Sequence, residues 1–296
     1  MAHKNKTNYS PYKARQEARA KNQPAKPDNA AAAPLMGRHK KPEHIFELHE
    51  ASDRIADVFR NHDFDMVTHE QRKQLAHFYR LLMLNQEKEN FTRLLKLRDI
   101  AIKHFIDCLI IAKYTKLQFP LLDVGTGPGF PGIPLKILFP NEKVLLGEGV
   151  QRRVEFLKHV RSEMNLPNLD IIGRNINKYF VYPVNGVITR AVEDIGNTLG
   201  NSINCLQLGG RVYFMKGPGV DPEIKAAAEK WAEFYKLVEN TPYTLPNTPH
   251  ERRLVVYEKI KHQELPLDDD GEHLLMDELS SDEKRRWAEK YSNPAR

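Results

Sequence analysis

Cysteine is scarce in this chain. Two occur in 296 residues, Cys108 and Cys205, both in apolar surroundings. Two such positions make no disulfide framework, and the expectation is a pair of buried free thiols. No His/Cys spacing suggests a zinc site, so no metal is expected. No apolar run reaches the ~20 residues needed to cross a membrane. The N-terminus is basic but has no apolar stretch behind it, so it does not read as a secretory signal. Internal repeats are missing as well. What these absences leave is a cytoplasmic globular protein, and 41% hydrophobic residues suffice for an ordinary core.

Each end of the chain is poor in one sign of charge. Residues 1–42 hold ten Lys or Arg against two acids, Glu17 and Asp28, a net +8. Residues 262–296 hold ten acids against five bases, a net −5, so the middle carries +3 of the total +6. The first segment has almost no aliphatic pattern and reads as a disordered basic arm. Such an arm favours nucleic acid through counterion release. The last segment reads as an acidic tail.

Between the ends, two patterns follow one another. Helical periodicity begins near Ile45, with Ile45, Leu48, Ile55, Val58 and Phe59 on one face. A second helix follows Thr68 as N-cap, with Leu75, Phe78, Tyr79 and Leu82 inward. A third covers about 100–114. These form a small helical cap over 43–118. From 119 to 261 strands and helices alternate. Strands are expected at 120–124, 143–147, 169–172, 186–190 and 210–215, with helices at 131–138, 151–164, 193–206 and 221–235. A closing pair of strands is expected at about 236–244 and 252–260. Alternation of this kind implies a mostly parallel sheet with helices on both faces. Right-handed crossovers bring the strand C-termini to one edge, where ligands bind.

The densest signal is Leu121-Leu122-Asp123-Val124-Gly125-Thr126-Gly127-Pro128-Gly129-Phe130-Pro131-Gly132. It reads as a strand, a glycine turn and a helix start. Glycine lets a ligand touch the main chain, and helix-start N–H groups favour a negative group. Gly127 to Gly132 also satisfies the G-x-G-x-x-G pattern of dinucleotide sites. The register differs, because Gly125 directly follows the strand and Asp123 stands inside its end. Asp-x-Gly-x-Gly-x-Gly there resembles the first motif of S-adenosylmethionine methyltransferases. About twenty residues on, Glu148 sits between Gly147 and Gly149, where a carboxylate can accept both ribose hydroxyl protons.

With the run LLDVGTGPGFPGIPLKILFP (121–140), then Glu148, then RRVEFLKHV (152–160), the resemblance becomes specific. The chain resembles the glucose-inhibited division protein B family, RsmG-type methyltransferases of small-subunit ribosomal RNA. Asn90-Phe91-Thr92, Lys103-His104-Phe105-Ile106-Asp107-Cys108-Leu109, Thr189-Arg190-Ala191, Lys216-Gly217 and Glu251-Arg252-Arg253-Leu254-Val255-Val256 extend it over roughly 70–260. The resemblance implies a Rossmann-like class I fold with a seven-stranded sheet. It implies S-adenosylmethionine as cofactor and N7 of a guanine, nucleotide 527 of 16S ribosomal RNA, as methyl acceptor.

Family roles carry over by position. Gly125 and Phe130 would touch the cofactor, with Asp123, Gly127 and Gly129 in the same loop. Asn175 and Ile176 would lie beside adenine, although the family has an acidic residue in this pair. Arg190 would complete the cofactor or RNA side. Lys216, like Arg190, ends a strand on the ligand edge and suits phosphate or donor contact. His104 and Asp107, one turn apart, would orient the cap over the pocket. Phe130 would stack on a flipped base. Partners implied are ribosomal RNA or a small-subunit precursor, met by a monomer. The residues alone leave two other readings open, a NAD(P)-dependent oxidoreductase and a non-catalytic RNA-binding protein.

Overall fold

The structure is a computed structural model that describes residues 41–42 and 44–263. The expected basic arm and acidic tail fall almost wholly outside these residues.

The helical region comes first. Helix α1 (Leu48–Asn61) buries Ile55, Val58 and Phe59 as the periodicity implies. Ile45 lies before the helix and Leu48, its first residue, stays 41% exposed, so the buried face starts a turn later than expected. Helix α2 (His69–Glu89) starts at Thr68 through a reciprocal capping box with Gln71. Such a cap contributes about 1 kcal/mol. The expected third helix is not uniform. It runs as α3 (Leu97–Ile100), a π-helical turn (Ala101–Ile106), α4 (Asp107–Leu109) and α5 (Ile111–Tyr114). Periodicity at 3.6 cannot reveal a π-turn, because one inserted residue shifts the face only locally.

The sheet follows. Its strands are β1 (Leu121–Val124), β2 (Val144–Gly147), β3 (Leu169–Ile172), β4 (Val184–Arg190), β5 (Leu206–Lys216), β6 (Tyr235–Thr244) and β7 (Glu251–Lys259). Their order is β3-β2-β1-β4-β5-β7-β6. Strands β1 to β5 pair in parallel, and β7 runs antiparallel between β5 and β6. This is the seven-stranded sheet that the resemblance implies. A dinucleotide sheet has the order 3-2-1-4-5-6 and no such reversed strand.

Helices α6 (Gly132–Leu138), α7 (Gln151–Glu163), α8 (Ile195–Ser202) and α9 (Asp221–Trp231) fill the crossovers. The last two end earlier than their patterns suggest. Residues 203–205 instead turn into β5, which begins four residues before the expected 210, and Phe234 leads into β6. Strand alternation divides the interior. Leu121, Leu254 and Val256 join α1, α2, α6 and α7 in one apolar cluster, while Leu122, Val255 and Tyr257 join α8 and α9 in another. The helical region thus shares its core with one face of the sheet. Cys108 and Cys205 are both free and buried, as expected. No helix among the described residues is long and apolar enough to cross a membrane.

Candidate active site

A cavity of about 560 Å³ opens at the C-terminal edge of β1, β2 and β4. Four short segments line it: 124–125, 147–149, 175–177 and 191–193, with Arg153 and Asn201 from the neighbouring helices. The parallel topology brings these segments together, since each follows a strand at the same edge.

The glycine loop reaches this cavity through Gly125, whereas Gly127 and Gly129, expected at the cofactor, do not line it. Gly125, Gly127 and Gly129 take φ of 68°, 60° and 114°. A Cβ on Gly125 would also lie 2.8 Å from the methyls of Val192, so the close approach of the two loops requires glycine. Among the described residues the Gly127 N–H makes no hydrogen bond within the protein.

Asp123 plays a different part from the one its motif suggests. Its side chain is fully buried and does not line the cavity. Oδ2 accepts the Gly132 N–H at 2.7 Å, tying the end of β1 to the start of α6. The helix-start donors expected for a ligand are therefore used inside the protein, Gly132 by Asp123 and Ile133 by the Gly129 carbonyl. Burial pushes the Asp123 carboxyl up to about 7, against the hydrogen bonds that favour its ionised form.

Glu148 lies at the cavity wall with its side chain 6% exposed. Oε1 accepts the Val150 N–H at 2.7 Å, and Oε2 lies 3.5 Å from the Arg153 guanidinium. The carboxylate is thereby oriented before any ligand arrives. Asn175 packs so closely over Gly149 that a Cβ there would meet its Oδ1 at 2.0 Å. Ile176, 6% exposed, supplies an apolar wall over Gly147.

Sequence reading missed the 191–193 segment. Ala191 has φ of 55°, a left-handed conformation that an L-residue adopts at a cost of about 1 kcal/mol or more. Val192 and Glu193 follow at the cavity, and Glu193 Oε1 accepts from Asn201 at 3.0 Å. Only the Thr-Arg-Ala motif pointed here, and it carries no sign of the strained turn.

Four expected site residues, Arg190, His104, Phe130 and Lys216, sit behind the cavity rather than in it. Arg190 donates to Asp107 Oδ2 at 3.2 Å, to the Lys103 carbonyl at 3.1 Å and to His104 Nδ1 at 3.1 Å. His104 and Asp107 therefore do not pair with each other; both bind Arg190. A guanidinium has no acceptor, so His104 Nδ1 is unprotonated and Nε2–H donates to Thr92 Oγ1 at 3.1 Å. Burial and the Arg190 charge hold the imidazole down at about 3. Phe130 is 5% exposed, with His104 stacked 4.3 Å from its ring and Phe78 at 5.2 Å. Its ring offers no open face for a flipped base, because the helical region covers it. Lys216 donates to Glu223 at 2.8 Å and to the Glu193 carbonyl at 2.7 Å, so its ammonium holds β5, α9 and the cavity segment together instead of facing a phosphate.

Residues 71–254 match the family described as rRNA small subunit methyltransferase G. The chain belongs to this family. Ribosomal RNA small subunit methyltransferase G 2 of Bdellovibrio bacteriovorus is 78% identical over 253 residues, covering 86% of this chain and 99% of that protein. The protein of the same name in Syntrophobacter fumaroxidans is 39% identical over 63% of this chain and 38% of its own length. Ribosomal RNA small subunit methyltransferase G of Carboxydothermus hydrogenoformans is 35% identical over 68% of this chain and 88% of its own length. Membership of the methyltransferase G family, with the reversed β7, displaces the oxidoreductase reading.

Proposed function

We propose that this enzyme transfers a methyl group from S-adenosylmethionine to N7 of a guanine in small-subunit ribosomal RNA. The observation that carries the reading is the cavity with Glu148 at the end of β2, Gly125 of the glycine loop on one side and Ile176 on the other. These features fit the cofactor chemically. The unbonded Gly127 N–H, two residues beyond the cavity-lining Gly125, suits a carboxylate, Glu148 suits a ribose diol, and Ile176 suits the face of a purine. Asn175 supplies amide groups where the family has an acid. When bound, the cofactor supplies an electrophilic methyl group on a sulfonium sulfur.

The protein's task is then positioning. Guanine N7 carries an in-plane lone pair and no proton, so no residue has to accept one. The described residues agree with that economy. His104 has both ring nitrogens engaged, and Asp123 is closed off behind the glycine loop. The methyl-transfer rate in single turnover is expected to be nearly flat between about pH 6.5 and 8.5. The methylated guanosine should carry a fixed positive charge, and its strand should be cleaved by aniline after borohydride reduction. A product that resists cleavage, or a rate rising tenfold per pH unit, would overturn the N7 assignment and turn attention to Glu193 as a base.

Glu148 gives the direct test of the cofactor site. Glu148→Gln keeps an acceptor for Val150 and removes the charge. It should weaken S-adenosylmethionine binding by about 1–3 kcal/mol in calorimetry, the loss of charge-assisted hydrogen bonds. Unchanged affinity would remove Glu148 from the site. The same proposal includes a monomer acting in the cytoplasm, with residues 1–42 contributing to RNA affinity through their +8 charge.

A further inference from the structure

A second cavity, about 530 Å³, lies between α1 and the 95–98 segment. Lys41, Arg54, Lys96 and Arg98 line it with Asp57, and Phe46 forms part of its apolar wall; Lys41 is paired with Glu87 and Arg54 with Glu50. Lys96 and Arg98 are exposed, as is Arg93 just before them. None of these three side chains makes a hydrogen bond or ion pair among the described residues. Three unpaired cations within six residues repel one another, and a polyanion relieves that repulsion.

The groove also offers a stacking surface. The Arg54 guanidinium lies 4.2 Å over the Phe46 ring, and His44 meets the same ring at 4.4 Å. Guanidinium and aromatic groups are the usual supports for unpaired bases. An acidic peptide would use the charges but not this surface. Position favours the same partner. Arg93 follows Thr92, whose hydroxyl holds His104, which holds Arg190 beside the cavity residue Ala191. Lys41, which lines the groove, belongs to the basic segment 1–42.

We propose that this groove binds a single-stranded segment of the ribosomal RNA substrate, with Arg93, Lys96 and Arg98 on its phosphates. The proposal rests on the RNA methyltransferase reading given above. It is tested in the full-length chain with the triple variant Arg93→Gln, Lys96→Gln, Arg98→Gln. The probes are a fluorescent single-stranded RNA oligonucleotide and an RNA duplex of equal length, titrated across a salt series. Each lost phosphate contact lowers the slope of log K against log salt by about 0.7 for a single strand. The triple variant should therefore lose about two units of slope and roughly tenfold or more in single-strand affinity at low salt. Lys96→Gln alone should lose about a third of that slope. Calorimetric affinity for S-adenosylmethionine should stay unchanged, because none of the three lines the first cavity. An unchanged slope would overturn the proposal, and so would an equal loss for duplex and single strand. A peptide of residues 264–296 that binds the wild type and not the variant, with RNA slopes unchanged, would overturn it in favour of the chain's own acidic tail. If the wild type neither binds S-adenosylmethionine nor methylates ribosomal RNA, the functional reading fails, while the RNA slopes still decide the groove.

Discussion

Replacing Asp107 by alanine is expected to destabilise the fold by about 3–5 kcal/mol, the cost of leaving buried charge without its partner. Asp107 is 4% exposed and accepts from two guanidinium groups. Arg190 reaches Oδ2 at 3.2 Å, and Arg252 reaches Oδ1 at 2.9 Å. One carboxylate from the helical region thus joins the end of β4 to the start of β7. Without it Arg190 retains a carbonyl and an imidazole but no hydrogen-bonded carboxylate. Asp107→Asn keeps the shape and one acceptor, so it should cost less than alanine. Urea unfolding measures both through the midpoint. The two should also loosen Ala191, held at positive φ directly after Arg190, and so weaken S-adenosylmethionine at temperatures where the protein is still folded. A midpoint within about 0.5 kcal/mol of wild type, the usual range of surface changes, would show that the clamp carries no net stability.

The second large effect is a pair of opposed pH dependences. His104 titrates at about 3 in the fold against 6.5 in a free chain, so its contribution is lost as pH falls from 6.5. Asp123 titrates at about 7 against 3.8, so the folded state holds a proton that the unfolded chain releases. Its contribution is present at low pH and is lost as pH rises from about 4 to 7. Between about pH 4 and 6.5 the two slopes oppose one another, and the wild type should show little net change from them. Single variants unmask each. In Asp123→Asn, which keeps the acceptor for Gly132, stability should rise by about 3 kcal/mol from pH 4 to 6.5 relative to wild type. In His104→Gln, which keeps an acceptor for Arg190 and a donor for Thr92, it should fall by a similar amount. Urea midpoints at four pH values separate the cases. Two variants that both follow the wild-type profile would mean that neither group is held away from its free value.

What the chain's residues determine alone is the part governed by local geometry and period. Glycines at 125, 127 and 129 announce three positive φ values, because few other residues accept them. Alternating apolar strands announce a sheet buried on both faces, and Thr68 announces a helix start. The register of Asp123 and Gly125 separates this sheet edge from a dinucleotide site, and the reversed β7 agrees with it.

What those residues do at the edge was settled by tertiary contacts. Asp123 and Phe130 stand in the motif, yet one anchors Gly132 and the other lies beneath His104. Arg190 and Lys216 both end strands at the ligand edge, yet carboxylates claim their charges, Asp107 from the helical region and Glu223 from the helix that follows β5. Ala191 looks unremarkable in sequence and takes the strained turn, with Arg190 just before it anchored by three partners. A motif states which side chain stands near a ligand edge. Whether that side chain faces the cavity or is captured behind it depends on which partner reaches it, Asp107 for Arg190 from 83 positions away and Glu223 for Lys216 from seven, and the motif itself encodes neither approach.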